Sequence, residues 1–366
     1  MKFIISKNEL GNLIGQIQNV VAQKATIPIL SNLLIEASND ELVFTATDLT
    51  VGMRCFTQAK ILEEGATTIP ARRFFQLIRE LTASNIEINC NGNDVTEVIA
   101  DTSRFKLNGK DKNEFPALPD LTGAVQFKIR YEAIKEMFFR TSFAVSRDDN
   151  RYVLTGVYMS IEEGRATFVG TDGKRLAKAY TSIEIDPSFT GQYILPLKAV
   201  EEIIKILGDE GEATVYLMND KIAVESENSI VISKLLSGDY PNVNRVIPAS
   251  TNIQVSLHRE ELITLLRQVS LFTTDTSSSV RFSFTKGELR LMANNSEIGE
   301  GKVSMPVNFE GEQLDIAFNP NFFLDILRHN RDETVSLGIT DSYNPGVITD
   351  SSTALFVIMP MRLNEE

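Results

Sequence analysis

The chain has 366 residues, more than one ordinary hydrophobic core accommodates, so several domains of roughly 120 residues each are expected. Hydrophobic residues at 43% and charged residues at 23% exclude a disordered chain, and no apolar run approaches the roughly 18 to 20 residues that a membrane helix needs. A net charge of −13 argues against a surface adapted throughout to nucleic acid, whose footprint is normally basic. The apolar run in Met1-Lys2-Phe3-Ile4-Ile5-Ser6-Lys7 is too short for a secretory signal, and Cys55 and Cys90 are expected as free thiols in a reducing cytoplasm.

In chain order, a first amphipathic helix is expected within 7–24, with Leu10, Leu13, Ile14, Ile17, Val20 and Val21 on one face. Leu42-Val43-Phe44-Thr45-Ala46-Thr47-Asp48 reads as a strand running into a polar turn, and Pro70 opens a second helix over 71–81 with Phe74, Phe75 and Ile78. Ile86-Glu87-Ile88 before Asn91-Gly92-Asn93 reads as a hairpin arm, and Leu121-Thr122-Gly123 as a junction. The same order then recurs. A helix is expected within 131–147 on Ile134, Met137, Phe138, Thr141, Ala144 and Val145, then the strand Ala166-Thr167-Phe168-Val169-Gly170-Thr171-Asp172. Pro196 opens a helix to 207 with Val200, Ile203 and Ile204, and Ala213-Thr214-Val215-Tyr216-Leu217 precedes the turn Asn219-Asp220. After Pro248-Ala249-Ser250-Thr251 comes a third round: a helix in 258–273 on Leu262, Leu265, Leu266, Val269, Phe272 and Thr273, the strand Leu289-Arg290-Leu291-Met292-Ala293-Asn294-Asn295, and Pro320 before Phe323, Leu324 and Leu327.

Asp48, Asp172 and Asn295 lie 124 and 123 residues apart, and the three prolines 126 and 124. The chain is therefore a tandem triplication with expected domains 1–122, 123–250 and 251–366, each α+β with two helices covering one face of an antiparallel sheet. Charge divides along the same lines. The windows 7–24, 71–81, 131–147, 196–207, 258–273 and 319–331 hold 14 Lys or Arg against 9 Asp or Glu, whereas the remainder holds 22 against 40. Basic helical faces within an acidic chain suggest one shared positive surface.

A ring is one way to share it. Helices spaced by about 9 Å around a circle give about 7 Å of clear bore for six helices and about 24 Å for twelve, once a helix diameter of about 10 Å is subtracted. Two chains are then the smallest ring that passes duplex DNA.

The chain resembles, from end to end, the bacterial DNA polymerase sliding clamp, the beta subunit of the replicative polymerase. The resemblance is carried by Thr26-Ile27-Pro28-Ile29-Leu30-Ser31-Asn32-Leu33-Leu34, Ala46-Thr47-Asp48-Leu49, Pro70-Ala71-Arg72-Arg73-Phe74-Phe75, Phe115-Pro116, Arg151-Tyr152, Thr171-Asp172-Gly173-Lys174-Arg175-Leu176, Tyr240-Pro241 and Val357-Ile358-Met359-Pro360-Met361-Arg362-Leu363. No single segment is diagnostic; their order and spacing are. The resemblance implies three clamp-type domains forming half of a six-domain homodimeric ring around duplex DNA, with helices lining the hole, no sequence readout, no cofactor and no hydrolysis of its own. An ATP-driven clamp loader would open the ring, and the replicative polymerase and other polymerases and repair factors would be its protein partners.

By position, the resemblance places DNA contacts at Lys24, Arg72, Arg73, Arg147, Arg151, Tyr152 and Lys198. Asp148 and Asp149, where relatives can be neutral or basic, weaken the Arg147 loop as a contact. It also implies a groove for short linear peptides between the second and third domains, at Leu154, Thr171, Gly173, Lys174, Arg175, Leu176, Pro241, Arg245, Val246, Asn319, Phe322, Tyr343, Val357, Ile358, Met359, Pro360, Met361 and Arg362. An aliphatic and thioether groove with a basic edge suits an apolar anchor on an extended peptide. Read from residues alone, 357–361 fits a buried closing strand better than a binding surface. Lys174 stands where a histidine is common and Phe322 where a tyrosine is, and Asn364-Glu365-Glu366 adds acid beyond the usual end. A dimer contact is implied between Phe105 and Leu107 of one chain and Leu271 and Phe272 of the other; Phe105 equally suits service within its own sheet.

The residues offer little to an enzyme. His258 and His329 have no metal-ligand spacing, no phosphate-binding glycine loop or nucleophile elbow is present, and the Thr47-Asp48 and Thr171-Asp172 pairs read as structural turns. Two other readings compete with a clamp: an interaction scaffold that never embraces DNA, and a hydrolase using clustered carboxylates.

Overall fold

A computed structural model describes residues 1–22, 26–92, 94–274 and 278–362, with Asp149 described by its backbone only. It holds six α-helices: α1 (Lys7–Ile17), α2 (Ala71–Glu80), α3 (Tyr131–Thr141), α4 (Leu197–Ile206), α5 (Arg259–Ser270) and α6 (Pro320–Arg328). Five of them start at a recognisable signal. Ser6 accepts from Glu9 N at the head of α1, His258 from Glu261 N at α5, and Asn319 from Asn321 N and Phe322 N at α6, where Pro320 fills the first helical position. Pro70 and Pro196 stand at the cap positions of α2 and α4 and contribute a fixed φ without a side-chain cap.

The expected windows 7–24, 131–147 and 258–273 run past the observed helix ends. In the second repeat Thr141 Oγ1 donates to Met137 O and the chain tightens into a 3-10 turn at Ser142–Ala144, a tighter coil that still keeps Ala144 and Val145 buried. The apolar stripe therefore outlasts the α-helix. In the third repeat the stripe shifts: Ile263 is buried, Leu265 is only half-buried, and Leu271 is 74% exposed.

The chain packs as two compact units that cut across the sequence repeats: 1–135 with 195–235, and 136–194 with 236–366. In the first unit, a five-stranded sheet runs Lys60–Glu63, Lys2–Ser6, Asn85–Cys90, Val95–Ala100, Ser103–Asn108. An eight-stranded sheet runs Val125–Arg130, Glu212–Leu217, Lys221–Glu225, Ser229–Lys234, Val51–Gln58, Glu41–Thr47, Asn32–Ser38, Gly65–Pro70. The second unit has an eight-stranded sheet of Gly191–Pro196, Gly156–Glu162, Arg165–Thr171, Arg175–Ser182, Leu355–Ile358, Gly346–Thr349, Thr334–Ile339 and Ile253–His258, and a four-stranded sheet of Gly299–Pro306, Glu288–Asn295, Val280–Thr285 and Leu314–Phe318. The strands of all four sheets pair antiparallel, and each eight-stranded sheet joins two repeats. Ser229–Lys234 pairs with Val51–Gln58, and Leu355–Ile358 with Arg175–Ser182. Cys55 and Cys90 are buried free thiols, and burial pushes the Cys55 thiol up to about 11.

Candidate functional site

The Thr-Asp landmark folds the same way twice. Thr47 Oγ1 donates to Val51 O and accepts from Leu49 N, while Asp48 Oδ1 accepts from Thr50 N and Val51 N. Thr171 does the same with Arg175 O and Gly173 N, and Asp172 with Lys174 N and Arg175 N. The residue after each Asp has positive φ, +74° at Leu49 and +83° at Gly173, so glycine relieves in the second copy what leucine bears in the first. In the third repeat Asn295 Oδ1 accepts from Glu297 N and Ile298 N. An amide oxygen replaces the carboxylate oxygen, and the turn survives without the charge.

The second turn forms one wall of a pocket of about 180 Å³. The strand leaving it, Arg175–Ser182, pairs Leu176 with Val357, and Met359 N donates to Lys174 O, so the closing strand forms the floor. A 3-10 turn at Val243–Arg245, capped by the Asn242 side chain, forms the opposite wall. Val169, Leu176 and Val357 make a buried cluster against which Tyr158, Tyr240 and Val243 pack. Tyr158 and Tyr240 stack at 4.6 Å, and burial pushes both phenols up.

Of the expected groove residues, Leu154, Thr171, Gly173, Lys174, Arg175, Leu176, Pro241, Val246, Val357 and Met359 line this pocket, together with Asn242 and Val243, which the sequence reading missed. The signal for Val243 was available: it is the apolar residue two places after Tyr240-Pro241, as Leu118 is after Phe115-Pro116. Arg245, Asn319, Phe322, Tyr343, Ile358, Pro360, Met361 and Arg362 are not part of its lining. Ile358 and Phe356 are fully buried while Val357 and Met359 line the pocket, so the closing strand serves a core as well as the pocket. Tyr343 is 89% exposed, Met361 N donates to Ala317 O, and Asn319 caps α6 while its amide donates to Ser278 Oγ.

Arg175, expected at the groove's basic edge, is tied into ion pairs. Its guanidinium donates to Asp325 Oδ2 at 2.7 Å, Asp172 Oδ2 at 3.2 Å and Phe143 O at 3.2 Å, and lies 4.7 Å from the Phe322 ring centre. Arg175 lines the pocket, and Phe322, outside the lining, packs its ring against the guanidinium. Arg151 is held too: Nη1 donates to Asp172 O and lies against Gly173, where a Cβ would collide with it. Lys174 and Arg245 are exposed beside the pocket, as is Arg151 despite its hydrogen bond.

Among the expected DNA contacts, Lys24 lies outside the described residues. Arg72 and Arg73 are exposed in the first turn of α2, Arg147 is exposed and Tyr152 is 55% exposed. Lys198 is paired with Asp48 Oδ2 at 2.6 Å and also donates to Val20 O. Asp148 caps the turn Asp149–Thr155 by accepting from Asn150 N. The four residues expected at a dimer contact divide between two sheet edges. Phe105, 38% exposed, and half-buried Leu107 lie on the edge strand Ser103–Asn108, while Leu271 is exposed beside Phe272, which covers Gly301 of the edge strand Gly299–Pro306. Among the described residues no group of three or more His, Cys, Asp or Glu could hold a metal ion, and no helix is long and apolar enough to cross a membrane.

A triplicated α+β chain with sheets running across its repeats, an apolar groove and exposed sheet edges has the architecture of a clamp-type protein. Its three segments match the models for the N-terminal, central and C-terminal domains of the DNA polymerase III beta subunit at residues 1–119, 128–242 and 244–362. The chain belongs to the DNA polymerase III beta subunit family, the bacterial beta sliding clamps. It is 59% identical over 366 residues to the beta sliding clamp of Chlamydia pneumoniae, covering 100% of each chain. The DNA polymerase sliding clamp of Bacillus subtilis superposes with a TM-score of 0.95 at 26% identity, covering 99% of both chains. A Pseudomonas aeruginosa sliding clamp bound to griselimycin superposes with a TM-score of 0.95 at 29% identity, covering 99% of this chain and 100% of that one.

Proposed function

We propose that this chain is a non-catalytic processivity factor: a homodimeric ring of six domains, divided near 122 and 250 in each chain, that encircles duplex DNA and tethers the replicative polymerase. The observation that carries the reading is the pair of exposed edges, Ser103–Asn108 with exposed Phe105 and Gly299–Pro306 beside exposed Leu271, because an unpaired edge strand flanked by an exposed large apolar side chain is a liability unless a second chain covers it. A head-to-tail contact between unlike edges closes after two chains in this reading. The basic helix residues supply a diffuse attraction to phosphate, suited to sliding because it carries no base readout. Arg72 and Arg73 support this. Two cations in a helix's first turn oppose its dipole at a cost of about 0.3–1 kcal/mol each, a cost that an external polyanion would offset.

The groove takes short linear peptides from polymerases, the clamp loader and repair factors in the cytoplasm, and griselimycin, which a relative binds, is a natural probe for it. The test is topological. Protein loaded by its clamp loader onto circular DNA should stay on the circle and be lost when the DNA is linearised. Equal retention on both forms would leave a scaffold that never encircles DNA.

A further inference from the structure

The groove has a twin. In the first unit a pocket of about 130 Å³ is lined by ten residues, nine of which are the repeat counterparts of residues lining the 180 Å³ groove. The correspondence extends to the backbone: Lys234 N donates to Thr50 O as Met359 N donates to Lys174 O, and Ile232 pairs with Gly52 as Val357 pairs with Leu176. Several lining side chains differ, Leu49 for Gly173 and Lys234 for Met359 among them, and one facing pair decides which side of the slot fills it. The open groove sets Leu176 on the wall and Val243 on the linker, whereas the twin sets Gly52 on the wall and Leu118 on the linker.

The exchange moves an isobutyl group from one side of the slot to the other and brings it inward. A Cβ at Gly52 would overlap Leu118 Cδ2, so the Leu118 side chain fills the space above the glycine. Leu118 also packs on the buried cluster of Ala223, Ile230 and Ile232. In the open groove the shorter Val243 packs against Leu176 and Val357, and the slot is left free. Leu30, the counterpart of the groove-lining Leu154, is meanwhile buried with Ile29 and Phe115. The linker thus supplies from within the chain the branched aliphatic anchor that the open groove has room to receive.

We propose that the junction of repeats 1 and 2 holds a second, closed copy of the ligand groove, with Leu118 seated over Gly52 as its resident anchor. This rests on the reading of the open groove as a ligand site. Exchanging the pair to match the open groove, L118V with G52L, opens the twin to the same chemistry, an apolar-anchored ligand.

The experiment titrates griselimycin into the full-length protein by calorimetry and counts sites per chain in wild type, in L118V/G52L and in L118A, with circular dichroism to verify the fold. The expected result is a gain of one site per chain over wild type in a folded variant. No gain in either folded variant overturns the proposal, since the slot would then be no more than packing. The wild-type count separately tests the open groove: no site there defeats the functional reading, while the difference between variant and wild type still decides this one.

Discussion

Asp172 shows how much structure one side chain can fix. One carboxylate oxygen closes the turn and the other helps to fix Arg175, whose opposite side is held by Asp325. Asn295 performs the turn half of this task with an amide, so Asp172→Asn should keep the fold, whereas Asp172→Ala should cost about 1–2 kcal/mol by leaving two backbone donors without their acceptor. Thermal unfolding of the two variants checks this; equal losses would mean that the charge matters more than the turn. Asp325 does not line the groove, yet Asp325→Asn should weaken griselimycin binding by freeing Arg175, and an unchanged affinity would show that Arg175 is fixed by its other partners. The turn was legible in the sequence because threonine and aspartate recur at one spacing. The fixing of Arg175 was not, because Asp325 and Phe143 lie 150 and 32 residues away and no local pattern pairs them.

At the scale of elements, α6 meets the turn after α3 through His329. Its ring stacks on Phe143 at 3.9 Å between centres, Nδ1 lies 2.7 Å from Asp325 O, and its own carbonyl accepts from Arg140, which also pairs with Asp350. Burial lowers the His329 pKa below its ordinary 6.5, with Arg175 and Arg140 adding to the effect and Asp325 opposing it. The folded form therefore binds fewer protons than the unfolded form below pH 6.5, so this site's contribution is complete above that value and fades as pH falls toward the lowered pKa. His329→Phe, which keeps the stack, should flatten the acid limb of a plot of melting temperature against pH; an unaltered slope would assign that limb to other groups. Helix positions were readable from the 3.6-residue stripe, but their ends were not. Buried apolar residues continue through 3-10 turns, and periodicity alone does not distinguish the two coils.

For the whole molecule, the proposed dimer gives a direct prediction. Phe105→Asp or Leu271→Asp would place a charge on an edge that a second chain is to cover, and each should convert the dimer to monomer in sedimentation at micromolar concentration while leaving the melting of the chain itself within a few degrees. A dimer that withstands both changes would move the contact elsewhere. The triplication was plain in the sequence because landmarks recur near every 124 residues, yet the compact units do not follow it. Repeats record the chain's internal symmetry; compactness follows which strands share a sheet, and strands 170 or more residues apart give no local sign that they pair.

Those shared sheets make the connecting segments near 122 and 250 dispensable as covalent ties. Ser229 to Ser233 are laddered to Cys55 to Val51, and Leu355 to Ile358 to Lys178 to Arg175, so a protease that severed either connection would leave both pieces zipped along a seam. A chain cut there, or expressed as two fragments, has the means to reassemble without a continuous backbone.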